Sequence, residues 1–129
     1  MKILKEQSKN FAGDIVTTYD FDNLGTINDF MHIINVFMQC GVKIKSVRVR
    51  EFGDYDAGND SIIYTDVSKL NLMYNDFLGK TIQCYVIIGN FNDCELVASI
   101  YPNSNRLKIS YLPQLKDYVN NVAGKISRM

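Results

Sequence analysis

Tryptophan is absent from the chain, histidine occurs once, proline twice and cysteine three times. Each shortage removes a class of chemistry. With one histidine, a nucleophile–histidine pair would have to use His32. That residue falls on the polar arc of a helix, and no serine or cysteine is marked as its partner. Cys40, Cys84 and Cys94 are odd in number and lack CxxC spacing, so neither a disulfide framework nor a zinc site is expected. Cys40 and Cys84 read as small hydrophobes on apolar faces, and Cys94 opens a strand. Charge of one sign is also lacking: 14 Lys and Arg face 14 Asp and Glu. A dedicated nucleic-acid or acidic-membrane binder rests on an excess of positive field, so neither partner is expected.

No apolar run approaches the roughly 20 residues of a membrane helix. The opening MKILKEQSKN has no apolar core of a secretory signal, which makes a cytoplasmic location the expectation. GxGxxG, GxxxxGK[ST] and HExxH do not occur. The GKT at 79–81 ends like a phosphate loop, but the glycine required upstream is Tyr74. No cofactor is expected, and the balance leans against an enzyme.

What is present is an ordinary globular composition, 47% hydrophobic and 22% charged, at a length suited to one domain with one core. Ile, Asn, Lys, Tyr and Phe are favoured. Their codons are AT-rich, which suggests a bacterium of AT-rich genome or one of its phages or mobile elements.

GDIVTTYDF (13–21) reads as a strand. TINDFMHIINVFMQCG (26–41) follows, with Thr26 as cap and Gly41 as stop, and is the strongest helix in the chain. Asn28, His32, Asn35 and Gln39 occupy one narrow arc, and apolar residues fill well over half of the circumference. That is wider than one sheet face needs. A flank holding Ile33, Val36 and Cys40 is therefore expected to seek a second cover, in a homodimer or a heteromeric interface.

In VKIKSVRVREF (42–52) the alternation breaks between Ile44 and Val47. Either a β-bulge near Ser46 or two short strands would reconcile it. The bulge would place Lys43, Lys45, Arg48 and Arg50 on one outward face, a candidate surface for an anion or an acidic partner.

SIIYT (61–65) is strand-like. DVSKLNLMYNDFLGK (66–80) fits a helix, although Leu70 and Leu72 also alternate as in a hairpin strand. TIQCYVIIG (81–89), CELVASIY (94–101) and RLKISYL (106–112) form a meander. Ile82, Cys84, Val86 and Ile88 are expected on one face of the first strand, and Ile100 opposite Leu107 with Ala98 opposite Ile109 in the second hairpin. An amphipathic helix over 114–127 closes the chain. The order gives a single α+β domain, a largely antiparallel sheet of about five strands with two or three helices mainly on one face.

FGDYDAGNDS (52–61) is the most site-like stretch. Measured against a calcium loop beginning at Asp54, it offers Gly58, Asn59 and Thr65 where an oxygen ligand, a glycine and a glutamate are required. It reads as a polar turn, and no metal is expected. Asp20 and Asp22 likewise read as turn residues before Gly25. Tyr55, Tyr85, Phe91 and Tyr101 are assigned to loops or polar strand faces, where exposed aromatics favour protein contacts.

The expected function is a non-catalytic protein-binding module acting by surface complementarity, of the small immunity or inhibitor type or a phage accessory protein. The rival is a small-ligand domain or enzyme with a pocket between the sheet and helix 26–41, rimmed by loop 54–60.

Overall fold

The structure is a computed structural model that describes residues 1–51, 62–64 and 82–127. The acidic loop, Tyr55 and the segment 66–80 lie outside the described residues, as does the choice between helix and strand there.

Strands β1 (Ile3–Phe11) and β2 (Asp14–Phe21) open the chain, followed by helix α1 (Ile27–Gln39). Then come β3 (Lys43–Glu51), β4 (Ile62–Tyr64), β5 (Ile82–Phe91), β6 (Cys94–Tyr101) and β7 (Arg106–Tyr111), and helix α2 (Lys116–Ile126). They form one antiparallel sheet in the order β1-β2-β7-β6-β5-β3-β4, six longer strands and the three-residue β4. The expectation of an α+β domain with an antiparallel sheet holds, with more strands than the roughly five expected and two helices among the described residues.

The added strand is β1. Its side chains are exposed almost throughout, so no apolar alternation marks it. It forms because the unpaired N–H and C=O groups of β2 need partners. The hairpin between them turns at Ala12 and Gly13, both at positive φ, 53° and 91°. Two such residues make the tight turn whose twist suits a hairpin.

α1 begins where its cap was read. Thr26 accepts from the Asp29 N–H while the Asp29 carboxylate accepts from the Thr26 N–H, a capping box. Gly41 ends it at φ 89°. The pairing of β3 with β5 shifts between Ile44 and Ser46. The irregularity in VKIKSVRVREF is thus a bulge within one strand: Val42, Val47 and Val49 are buried, and Lys43, Lys45 and Arg48 are exposed. The close approach there fixes Gly89. A Cβ on it would stand 2.6 Å from Val42 Cγ1.

Registers Ile100–Leu107 and Ala98–Ile109 are as expected. In β5 the faces are the reverse of the expectation. Tyr85 and Ile87 face the helices, 2% and 0% exposed, whereas Cys84, Val86 and Ile88 are half-buried on the other side. The run CYVII is apolar on both parities, so alternation could not choose. A second register shift between Arg50 and Glu51 lets Ile82 join the buried side without sharing the parity of Tyr85.

α1 and α2 lie together on one face. Phe30 of α1 stacks on Tyr85 with ring centroids 3.9 Å apart. Tyr118 of α2 stacks on Phe91 at 3.7 Å and donates its hydroxyl proton to the Cys40 carbonyl. His32 Nε2 lies 3.3 Å from the Ile126 carbonyl oxygen. α2 therefore covers the flank of α1 that the sequence left open. Ile33 and Val36 are 0% and 5% exposed within a single chain, which corrects the expectation that they form an open interface. His32, expected in solvent, is half-buried between the helices.

Candidate functional site

Neither α1 nor α2 covers the second face of the sheet. Its side chains follow from the registers. One row runs Lys9–Val16–Ser110–Val97–Ile88–Ser46 across β1, β2, β7, β6, β5 and β3. The neighbouring row runs Gln7–Thr18–Lys108–Ser99–Val86–Arg48. A third begins Lys5–Asp20–Arg106–Tyr101. An aliphatic band of Val16, Val97, Ile88 and Val86, each half-buried, is therefore flanked at both ends by lysine and arginine.

At the β3 end stand Lys43, Lys45, Arg48 and Arg50, brought to one side by the bulge. Lys45 pairs with Glu95 at 3.6 Å, both side chains at least half exposed. Burial pushes the Cys84 thiol up from its ordinary pKa, and the nearby Arg50 opposes that only in part. The thiol is thus held away from the nucleophilic thiolate form.

At the opposite end, Gln7, Lys9, Phe11, Val16, Thr18, Arg106 and Lys108 line a hollow of about 300 Å³. Arg106 Nε donates to Asp20 Oδ1 at 2.7 Å, and this bond holds the Asp20 carboxyl below the usual carboxylate range. Lys108 stands over the Tyr101 ring, 5.6 Å from its centroid. Phe11 projects at the rim, 75% exposed. A second hollow, lined by Asp14, Glu95, Val97, Ser110, Tyr111 and Leu112, carries the opposite charge.

The aromatic candidates separate. Tyr101 belongs to the face opposite α1 and α2, half-buried. Phe91 packs between sheet and α2, and Tyr85 is core, so these two do not share a surface with Tyr101. Tyr55 lies outside the described residues. The lysines and arginines of β3 are together as expected. Lys9, Arg106, Lys108 and Phe11 were missed, because β1 was not recognised as a strand. The alternation Lys5, Gln7, Lys9 within KEQSK was the available signal.

The remaining polar groups have structural partners. The Asp22 carboxylate accepts from the Lys2 N–H at 2.8 Å, a bond that lowers its pKa. Among the described residues no three His, Cys, Asp or Glu converge as metal ligands. All three cysteines are free and half-buried. No helix among the described residues is long and apolar enough to cross a membrane.

Comparison with protein-family models, curated proteins and solved structures gives no match to this chain.

Proposed function

We propose that this protein is a non-catalytic binding module, of the small immunity or inhibitor type or a phage accessory protein, that engages an acidic protein through the sheet face opposite α1 and α2. The supporting observation is the composition of that face. Val97, Ile88 and Val86 supply an apolar patch that neither α1 nor α2 covers, Val16 continues it beyond Ser110, and basic side chains frame both ends. Apolar centre and charged rim is the ordinary anatomy of a protein interface; of the acids beside the band, Asp20 and Glu95 are engaged by Arg106 and Lys45, while Asp14 stands at the margin next to Val97. Partner specificity then comes from the rim charges and affinity from the band.

The test uses Val97→Asp, which sets a carboxylate in the middle of the band, and Arg48→Glu at its rim. A partner captured from source cells by the wild-type protein is identified by mass spectrometry, purified and titrated against both variants. Val97→Asp weakens binding at least about tenfold, and Arg48→Glu slows association and flattens its salt dependence. Full affinity of both variants for the purified partner would overturn the reading.

A further inference from the structure

The hollow at the β1–β2–β7 end has a composition that the protein-binding reading does not require. Lys9, Lys108 and Arg106 line it together with the Gln7 amide and the Thr18 hydroxyl, and no carboxylate is among its lining groups. The acid beside it, Asp20, is held by Arg106. Lys5 lies across from Asp20 on β1. Asp14, paired with Phe11, lines the other hollow instead. Positive charge is thus concentrated over a floor of Val16 and Thr18, in a protein whose net charge is zero.

Phe11 is the second observation, independent of the charges. At 75% it is the most exposed large hydrophobic residue among those described, and it lines the same hollow. The Ala12–Gly13 turn beside it does not need an aromatic ring, and a polar residue would protect the sheet edge better. A bare ring at the mouth of a cationic hollow is a stacking surface.

The spacing of the two features selects the ligand. Phe11 follows Lys9 by two residues on the same face, about 7 Å along the strand. Lys108 lies two strands over and one row in the opposite direction, its Cα about 12 Å from that of Lys9. The Lys108 ammonium stands over Tyr101 and would swing from that ring toward Lys9; an anion held by the two then sits several ångströms from the Phe11 ring. The hollow suits a phosphate joined to a planar ring through a spacer, and not a ring that bears its phosphate directly.

We propose that this hollow binds a nucleoside phosphate, with the phosphate between Lys9 and Lys108 and the base on the Phe11 ring. Gln7 and Thr18 are placed to meet the sugar and the remaining phosphate oxygens. Arg106 stays with Asp20 and closes the far end. A free nucleotide and one residue of a single-stranded nucleic acid share this chemistry.

The experiment is a titration of the isotope-labelled full chain, followed by amide shifts, with adenosine monophosphate, adenosine, inorganic phosphate and a short oligo-dA. Adenosine monophosphate should saturate with a constant of about 1 mM or tighter, shifting Gln7, Lys9, Phe11, Thr18 and Lys108. Lys9→Ala and Lys108→Ala should each weaken it roughly fivefold. Phe11→Ala should weaken adenosine monophosphate about fivefold or more and leave inorganic phosphate unchanged. All three positions are on the surface, so the variants keep the fold. Oligo-dA binding more tightly than the mononucleotide at the same residues identifies a single strand as the source, and the reverse order identifies a free nucleotide. No saturation, shifts elsewhere on the protein, or indifference of adenosine monophosphate to Phe11→Ala would overturn the proposal. The hollow shares Val16 with the aliphatic band, but none of these variants alters Val97 or Arg48, on which the protein-binding test turns, so that reading stands or falls separately.

Discussion

Among the described residues, Thr17 is the only buried polar side chain apart from the tyrosines, at 0% exposed. It survives there because its hydroxyl is satisfied on both sides. Ser8 Oγ lies 2.8 Å from Thr17 Oγ1, and Tyr111 OH 2.7 Å away. The relay ties the exposed edge strand β1 to β2 and then to β7, so one hydroxyl serves three strands. Replacing Thr17 with valine keeps the volume and strands the Tyr111 hydroxyl without this partner. An unsatisfied buried hydroxyl costs about 1–3 kcal/mol, so Thr17→Val should lower the urea midpoint without changing the slope of the transition. Adding Tyr111→Phe removes the orphaned group, and the double variant should be more stable than the sum of the single losses. Strict additivity would show that the relay carries no coupling. None of this was legible in GDIVTTYDF, where Thr17 was merely one β-branched residue among several: a hydrogen bond between residues 94 apart leaves no local signature.

Elements were legible where one face is apolar and the other polar. Thr26 and Gly41 marked α1, and the broken alternation at Ser46 marked the irregularity in β3, because each obeys a local rule of capping or pleat. β1 escaped because both of its faces are polar. The face of β5 escaped because both of its faces are apolar. The breadth of the apolar arc on α1 was read correctly, but its meaning was not. The arc is wide because α1 buries one flank on β3 and β5 and the other against α2, with His32 over the end of α2 and Tyr118 reaching the Cys40 carbonyl. Val36 is therefore core. Val36→Glu should lose about 3 kcal/mol or more in urea unfolding, the cost of an unpaired buried charge. An intact, equally stable monomer carrying that substitution would restore the exposed-flank idea. The basic end of β3 was legible as a candidate surface, whereas the Lys9–Lys108 hollow was not. The latter is assembled across β1, β2 and β7, and the partner of β2 in the sheet comes from the far end of the chain.

Across the whole molecule, the two faces of the sheet divide the chemistry. Lysines, arginines and the aliphatic residues lie on the side opposite α1 and α2, and aromatic residues fill the layer beneath the helices. Three phenols of that layer are kept from ionising. Burial raises the Tyr19 hydroxyl above its ordinary pKa, and the Glu6 charge adds to it. Burial pushes Tyr85, against Phe30, up to about 12, and Tyr118, beside Cys40, up to about 12 as well. An unfolded tyrosine loses its proton near pH 10. Between that value and about 12 the unfolded chain therefore holds fewer protons than the folded one, and stability must fall as pH rises. Below pH 10 the contribution is complete. The slope approaches about 1.4 kcal/mol per pH unit for each fully buried tyrosine; the half-buried Tyr118 contributes less. Urea unfolding followed by circular dichroism at about pH 9 and about pH 11 should show the midpoint dropping steeply, with the tyrosinate absorbance that Tyr85→Phe removes rising only as the fold is lost. Tyr85→Phe should unfold more gently with pH, because one of the linked protons is gone. Tyrosinate at pH 10 that is absent from Tyr85→Phe, in a protein that keeps its circular dichroism, would mean that this phenol is open to solvent and that the helices do not seal this layer.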